Sequence, residues 1–408
     1  MKRLVLILFL LVQTVVFFSC SDGGGGERNV QTPFVLPEIY HTPAEIDIFL
    51  NEINQNSNYS SFTKIETVGY SKEGREIKAL IISNDPEEIQ DEPRIRLTGG
   101  IHGNEMISVE ILLNFIEYLC SENHKGTSRI VDLIDSRYIA IIPVLNPDGL
   151  IRGRRYNSND IDLNRNFDSL SQPESAALSV YSKNKVFHSS ITFHSGAVLI
   201  NMPFDYKSKI IDNEYPEEYN LITSMALSYA RGGFSSNPDV YTKVYNSDYG
   251  DYIDLVEGTI NGGDWYVVTG SLQDWSYLHT GCIDMTVEVA RSNPSTIEGI
   301  DAVYSYNQGS LLDYIEKAGY GVHGRVTSSA EPDGVKDVEI TVVYDNGSGI
   351  TGDIIVKTDS KGYYHRILGA GNYNLVFRKS GYSDKPFPGV SVPTDSSLTE
   401  QNVTLTTP

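Results

Sequence analysis

The fold of this chain is decided by the stretch Arg94-Ile95-Arg96-Leu97-Thr98-Gly99-Gly100-Ile101-His102-Gly103-Asn104-Glu105. Its first five residues predict a strand that is buried on both faces, and two glycines follow that strand. The segment leads into a region where apolar residues recur at helical spacing and form one face of a helix, namely Ile107, Ile111, Leu112, Phe115, Ile116 and Leu119. The sequence therefore predicts a strand that runs through a turn into a helix.

The same alternation continues along most of the chain. Apolar runs at residues 138–142, 191–193 and 285–287 predict further strands, and Pro173 opens a helix at a position that proline favours. Strands that alternate with helices between about residues 32 and 320 predict an α/β fold, with a mixed, largely parallel sheet flanked by helices. In such sheets the functional site lies beyond the carboxyl ends of the strands.

The character of the sequence changes after Tyr320. Short segments of alternating polarity, at residues 338–343 and 373–377, are separated by turn sequences such as Asp345-Asn346-Gly347. This spacing predicts a small all-β sandwich over residues 320–408, after an α/β domain over residues 33–319.

The turn after the first strand carries His102 and Glu105, two of the ligand types that catalytic zinc takes. A His-x-x-Glu pair is common by chance, so a metal site needs a third ligand. His194 directly follows the strand at residues 191–193 and is the candidate. Surface or packing roles are expected for the other histidines, which are His41, His124, His188, His279, His323 and His365.

Three further clusters carry residues suited to chemistry. The first cluster is Asp162-Leu163-Asn164-Arg165-Asn166-Phe167, in which an arginine lies between two asparagines. The planar guanidinium of an arginine can bind a carboxylate through two hydrogen bonds. Upstream of this first cluster, Arg155 ends a run of arginines that, taken alone, is typical of a solvated loop. Glu288 lies inside an apolar strand, where a carboxylate needs either an ion-pair partner or a chemical role. The remaining cluster consists of Trp265-Tyr266 followed by Gln273-Asp274-Trp275.

Composition excludes several classes of protein. The 408 residues include 32 Lys and Arg against 53 Asp and Glu, and the net charge of −21 argues against nucleic acid or an anionic membrane surface as the main partner. With 40% hydrophobic residues the chain can bury a large core. Three cysteines exclude a disulfide scaffold; whether Cys120 and Cys282 pair stays open, although two buried free thiols are favoured.

The N-terminus carries an export signature. Lys2 and Arg3 precede an apolar run, which predicts a signal peptide over residues 1–19. Cys20 stands where bacterial lipoproteins carry an acylated cysteine, and residues 20–32 form a flexible, glycine-rich leash. We expect an exported protein of the cell envelope or outer membrane that contacts the membrane only through a lipid anchor at Cys20, or a secreted protein if the chain is simply cleaved there.

Together these motifs resemble the zinc metallocarboxypeptidases, and most closely their regulatory subfamily, which contains carboxypeptidases N, E and D. The resemblance extends from about His41 to the C-terminus, and it implies a carboxypeptidase-like fold with a transthyretin-like C-terminal sandwich. The motifs that carry it, in family order and spacing, are His102-Gly103-Asn104-Glu105, Asn146-Pro147-Asp148-Gly149, Asp162-Leu163-Asn164-Arg165-Asn166-Phe167, Trp265-Tyr266, Gln273-Asp274-Trp275 and Val287-Glu288.

The resemblance implies roles for the residues of the catalytic centre. His102, Glu105 and His194 match the ligands of one zinc ion per chain. Glu288 matches the general base toward the zinc-bound water, and Arg155 matches the arginine that polarises the scissile carbonyl.

The resemblance also implies a substrate site. Asn164, Arg165 and Tyr266 match residues that clamp the terminal carboxylate of the substrate. Asp205 and Gln273 match pocket positions that prefer a C-terminal Lys or Arg. The implied function is a zinc carboxypeptidase that acts on the C-termini of peptides or proteins, which are expected to be basic. Separately, we expect the protein to be a monomer.

Two departures and two alternatives accompany this interpretation. Ser195 and Ser271 stand where the subfamily commonly has glycine, which puts fine specificity and rate in doubt but not metal binding. One alternative is a zinc peptidase of the same fold that acts on cell-wall peptides. The other is a catalytically inactive peptide-binding module, and the joint presence of the candidate ligands, Arg155 and Glu288 argues against it.

Overall fold

The structure is a computed structural model that describes residues 34–216, 218–343, 354–394 and 398–408. The predicted signal peptide and leash, residues 1–32, and the predicted turn at residues 345–347 lie outside these ranges. The described residues from Val35 to Pro408 form one compact unit. Across the described ranges, every helix is too short or too polar to cross a bilayer.

The first part of this unit alternates helices and strands, as the sequence predicts. The strands predicted at residues 94–98 and 138–142 have those bounds, and a helix begins at Pro173. In chain order the elements are α1 (Pro43–Gln55), β1 (Thr63–Tyr70), β2 (Glu76–Ile82), β3 (Arg94–Thr98), α2 (Ile107–Lys125), α3 (Ser128–Asp135), β4 (Tyr138–Ile142), α4 (Pro147–Arg152), a 3₁₀ turn (Leu163–Arg165), α5 (Pro173–Lys185), β5 (Ser189–His194), β6 (Ala197–Met202), α6 (Lys209–Asp212), α7 (Tyr219–Arg231), a second 3₁₀ turn (Phe234–Ser236), β7 (Lys243–Asn246), β8 (Asp251–Asp254), β9 (Thr259–Asn261), α8 (Gly262–Trp265), α9 (Leu272–Thr280), β10 (Ile283–Ala290) and α10 (Ile297–Lys317).

Within the described residues, eight of these strands form one sheet in the order β1-β2-β4-β3-β5-β10-β6-β9. The central strands β4, β3, β5 and β10 run parallel to one another, and β9 is parallel to β6. The pairs β1–β2, β2–β4 and β10–β6 are antiparallel. The prediction of a mixed, largely parallel sheet is therefore confirmed. The carboxyl ends of β3, β5 and β10 meet at one edge of the sheet, where the sequence places the functional site.

Helices cover both faces of the sheet, which explains why its central strands are continuously apolar. Alternate residues of a strand face opposite sides. Ile139 and Ile141 of β4 therefore join the core beneath α2 and α10, whereas Ala140 joins a second core that contains Leu178 of α5 and Trp275 of α9.

Beyond α10 the described chain forms two four-stranded sheets, which confirms the predicted all-β sandwich. One sheet has the order β14-β11-β17, with β18 also paired to β11, and the other has the order β13-β12-β15-β16. The strands are β11 (Gly321–Ser328), β12 (Glu339–Val343), β13 (Val356–Lys357), β14 (Tyr363–Ile367), β15 (Gly371–Arg378), β16 (Lys385–Val392), β17 (Leu398–Glu400) and β18 (Val403–Leu405).

The sandwich packs against the α/β part through buried charged groups. Arg366 of β14 forms an ion pair with Glu218, which lies just before α7, at 2.6 Å between Nη2 and Oε1, and both side chains are buried. Tyr277 of α9 donates its hydroxyl hydrogen to the same carboxylate. The rings of His188 and His365 pack 5.4 Å apart at this boundary. Of the surface or packing roles that were expected for these histidines, both therefore have the packing role.

Cys120 and Cys282 are both buried, and each is a free thiol. The preference for two unpaired cysteines is therefore confirmed.

Candidate metal centre and substrate cavity

The turn after β3 places two candidate ligands side by side. Gly100 has a φ of +56°, which favours glycine, and a Cβ at Gly103 would lie 2.0 Å from the carbonyl carbon of Gly149. The turn can therefore pack closely against the start of α4. In this conformation Nδ1 of His102 lies 2.8 Å from Oε1 of Glu105, and both side chains are buried.

His194 completes the cluster because it is the last residue of β5, the strand beside β3. Its Nδ1 lies 3.1 Å from Nδ1 of His102 and 3.0 Å from Oε2 of Glu105. Two imidazole nitrogens and a carboxylate therefore converge on one point from two strands. Among the described residues this trio is the one group of three that could hold a metal ion.

The neighbours of the trio favour a cation at its centre. Asp162 accepts a hydrogen bond from Nε2 of His102 at 2.9 Å, which holds the proton on Nε2 and leaves the Nδ1 lone pair facing the cluster. Burial raises the pKa of Glu105, but His194 and His102 outweigh it and hold the pKa well below its usual range. The carboxylate is therefore ionised, and the donor set fits zinc with a fourth position left open.

A cavity of about 250 Å³ opens at the trio. It brings together nine of the ten residues that the sequence singled out, which are His102, Glu105, Arg155, Asn164, Arg165, His194, Asp205, Tyr266 and Glu288. Gln273 does not line this cavity, although the resemblance implied that it would. It lies one layer behind the wall, where its Nε2 donates to Oδ1 of Asn201 at 3.3 Å.

Glu288 faces the cavity from β10, where it is in register with His194 of β5. Burial raises the pKa of this carboxyl to about 7, because His194 and Arg155 offset the desolvation only in part. Its Oε2 is buried and has no hydrogen-bond partner among the described residues. A carboxylate with an unused acceptor beside a metal site is suited to hold or move a proton.

Arg155 is the member of the arginine run that turns toward the cavity. Its Nε donates to Asp162 at 3.0 Å, and its Nη1 donates to Glu105 at 3.2 Å. Arg152 instead pairs with Glu73, and Arg154 pairs with Asp160 at the surface. The solvated-loop interpretation therefore holds for Arg154 but not for Arg155.

Asn164 and Arg165 form a donor pair beside Arg155. The backbone N–H of Leu272 donates to Oδ1 of Asn164 at 2.9 Å, so the amide NH₂ of Asn164 remains available as a donor. Nη1 of Arg165 donates to the carbonyl of Asn164 at 2.8 Å. Tyr266 follows α8 and is 45% exposed, so its ring stands at the mouth of the cavity.

Asp205 is an almost fully buried carboxylate in the cavity wall, with 3% of its surface exposed. Nδ2 of Asn201 donates to its Oδ1 at 2.9 Å, and the hydroxyl of Ser271 also hydrogen-bonds to it. Burial nevertheless raises the pKa of Asp205 above its ordinary value. Among the described residues no Lys or Arg forms an ion pair with this carboxylate, as expected of a group that receives a cation from outside.

Comparison with known proteins decides the family. Residues 48–303 match the profile of the family described as zinc carboxypeptidase, which is more than half of the chain. The chain belongs to the zinc carboxypeptidase family. The predicted resemblance is thereby confirmed.

Curated relatives of this family member include carboxypeptidase D of Anas platyrhynchos, which is 31% identical over 367 residues and is matched over 84% of this chain and 25% of that protein. Carboxypeptidase E of Caenorhabditis elegans is 29% identical over 394 residues, with 84% of this chain and 81% of that protein covered. The chain thus spans about a quarter of the length of the carboxypeptidase D relatives that it matches.

Among solved structures, thrombin activatable fibrinolysis inhibitor superposes on 68% of this chain and 74% of its own, with a TM-score of 0.56 and 18% identity. A bovine form of that protein, in complex with tick carboxypeptidase inhibitor, gives a TM-score of 0.55 at 18% identity. At this identity the likeness establishes a shared fold over the part of the chain that superposes.

Sequence reasoning assigned no role to three polar residues that shape the site of this family member. Asp162 orients His102, and Asn201 bonds to Asp205. Asp274 accepts the backbone N–H groups of Asp205 and Tyr206 at 2.9 and 3.0 Å. The signal for Asn201 was present, because it is the one amide in the apolar strand β6. Asp274 could not be found in this way, because its partners Asp205 and Tyr206 are distant in the sequence and no local pattern indicates the contact.

Proposed function

We propose that this protein is a zinc-dependent carboxypeptidase that hydrolyses the last peptide bond of peptides or proteins and prefers Lys or Arg at the C-terminus. The observation that carries the proposal is the opening of the His102–Glu105–His194 trio into a cavity whose wall contains the buried carboxylate of Asp205. The names of the matched carboxypeptidases D and E support the reaction class.

Zinc held by His102, Glu105 and His194 would supply a Lewis acid and a water whose pKa is lowered to about 7. Glu288 accepts the proton of the attacking water, because this side chain lines the cavity and its Oε2 has no hydrogen-bond partner among the described residues. The protonated carboxyl then donates to the leaving amine, so that one side chain acts first as base and then as acid.

Arg155 supplies positive charge where the carbonyl oxygen gains negative charge. Because Asp162 and Glu105 hold its guanidinium in place, little reorganisation is needed as the charge develops. The available NH₂ of Asn164 and the guanidinium of Arg165 bind the free terminal carboxylate. A substrate without a free C-terminus would leave these donors unpaired, which makes the protein an exopeptidase.

Asp205 sets the preference for the departing side chain. Removing a carboxylate from water costs free energy unless a cation approaches it. The ammonium of a Lys or the guanidinium of an Arg therefore offsets the desolvation of the buried Asp205. Gln273 supports this wall from behind through Asn201.

Hydrolysis of matched peptides that end in Lys, Arg, Phe and Ala, with and without a chelator, tests the proposal. We expect turnover of the Lys and Arg peptides, and its loss on chelation. Turnover of cell-wall peptides instead of these four, or turnover that survives complete removal of metal, would refute it.

We further propose that the chain is exported, is anchored by a lipid on Cys20, and acts as a monomer with residues 33–319 as its catalytic domain and residues 320–408 as a transthyretin-like domain. The basic and apolar N-terminal sequence supports export, and the two sheets after α10 support the last assignment. Labelling with a radioactive fatty acid should modify the intact chain but not a Cys20→Ser variant.

A further inference from the structure

The β7–β8 hairpin presents aromatic residues to solvent beside the candidate active site. Lys243 pairs with Asp254 and Tyr245 with Tyr252, so these four residues share one face of the hairpin. Tyr245 and Tyr252 are 55% and 57% exposed, and Tyr249 in the connecting turn is 53% exposed. We call these residues, together with Asp248 of the turn, the hairpin face.

The opposite side of the hairpin is fixed to the wall of the cavity. Val244 is buried in a small apolar core against which Trp265 packs. Asn246 accepts the backbone N–H groups of Asp248 and Tyr249 at 2.8 Å each, and its Nδ2 donates to the carbonyl of Asp264 at 2.5 Å. Asp264 immediately precedes Trp265 and Tyr266, which line the cavity. The turn of the hairpin is therefore held next to the cavity mouth.

The hairpin face has the chemistry of a cation-binding surface. The rings of Tyr245 and Tyr252 lie 5.3 Å apart at 66°, and Nζ of Lys243 lies 4.8 Å from the centre of the Tyr252 ring. This contact shows that the ring can receive an ammonium group. The hairpin has three aspartates against one lysine, and among the described residues none of the three is in an ion pair. They are Asp248, Asp251 and Asp254.

We propose that the hairpin face binds the part of a peptide substrate that lies upstream of the scissile bond, and that it favours Lys or Arg there. The inference rests on the proposed carboxypeptidase function. The substrate is the occupant that the observations favour, because the hairpin is attached next to the cavity mouth and the charge of the hairpin face is opposite to that of a basic peptide. Exposed tyrosines supply rigid contact area at low entropic cost, and the aspartates select positive charge.

The test compares three substrates that end in the same Arg. The first is an acylated dipeptide, which is too short to reach the hairpin face. The other two are peptides of about ten residues, long enough to span about 33 Å when extended, with either several Lys or only Ser and Gln upstream. We expect the unaltered protein to favour the Lys-containing peptide through KM, and the Tyr245→Ser/Tyr252→Ser variant to raise that KM about fivefold to tenfold with kcat unchanged.

Two matched controls accompany this variant. Tyr70→Ser removes an equally exposed tyrosine of β1 and should leave all three substrates unaffected. Asp248→Asn/Asp254→Asn should weaken only the Lys-containing peptide, and less so at high salt. Equal KM values for the two long peptides, or an equal loss on the acylated dipeptide, would overturn the proposal.

Failure of the proposed function is distinguishable from failure of this inference. If the unaltered protein does not hydrolyse the acylated dipeptide, the carboxypeptidase proposal fails. Fluorescence anisotropy of the two labelled long peptides then still tests whether the hairpin face binds a basic peptide, because binding needs no turnover. Equal affinity for both peptides would refute the proposed role of the hairpin face. A preference for the Lys-containing peptide that is lost in the tyrosine variant would support this role.

Discussion

Nδ1 of His102 and Nδ1 of His194 lie 3.1 Å apart, although 92 positions separate the two residues in the chain. Neighbouring parallel strands bring them together, since each histidine lies at or just beyond the carboxyl end of its strand. With the carboxylate of Glu105 between them, the two lone pairs face a common centre. Such an arrangement of acceptors is stable when a cation occupies that centre.

His194→Ala should abolish zinc binding and activity, because it leaves two protein ligands where a catalytic zinc ion needs three. Metal content measured by mass spectrometry after dialysis checks this. His124→Ala, which alters an exposed residue of α2, should retain one zinc per chain. Stoichiometric zinc in the His194 variant would show that the ligands are misassigned.

Glu288→Gln should reduce turnover by at least about 1000-fold while zinc content and peptide affinity are preserved, because the amide keeps the shape but cannot accept a proton. Single-turnover kinetics on an Arg-terminated peptide, with affinity measured separately, checks this. Near-normal turnover would mean that another group is the base.

Asp205→Ala should lower kcat/KM for peptides that end in Arg or Lys by at least about 100-fold, the scale of removing one partner from a buried charge pair. Activity on peptides that end in Phe or Leu should fall much less, or rise. A uniform loss on all four peptides would instead indicate that Asp205 only stabilises its loop, and the preference for basic residues would be abandoned.

His365 should make stability depend on pH. Burial lowers its pKa from 6.5 to about 3, and Arg137 and His323 add repulsion, while the neutral His188 ring packs against it. Because the folded-state pKa is depressed, this stability is complete above about pH 6.5 and is lost as the pH falls toward 3.

Urea unfolding between pH 7 and pH 4 measures this effect. The free energy of unfolding should fall more steeply in the unaltered protein than in His365→Gln, by up to about 1.4 kcal/mol per pH unit. His279→Gln, which changes an exposed histidine, should keep the steep slope. Equal slopes in all three proteins would contradict the prediction.

The features that depend on a local sequence pattern could be predicted from the sequence. Apolar periodicity predicted β3 and β4 with their observed bounds, and the residues at strand ends predicted the trio. The sequence did not suffice for Asp274 or for Glu218, because their partners are distant. Glu218 and Arg366 are 148 positions apart, and nothing in either neighbourhood indicates that they meet. The resemblance assigned Gln273 to the pocket, but Gln273 lies behind the cavity wall, because Asn201 stands in front of it.

The packing of the C-terminal sandwich has a consequence for how the molecule denatures. Ile354, Val356 and Ile367 of the sandwich belong to the same apolar core as α2 and β10, and Arg366 neutralises Glu218 across the boundary. Truncation after α10 would expose that core to solvent. It would also leave the buried carboxylate of Glu218 without its counterion. We therefore expect both parts to melt in a single calorimetric transition, so that a protease nicking the sandwich would also inactivate the distant metal centre.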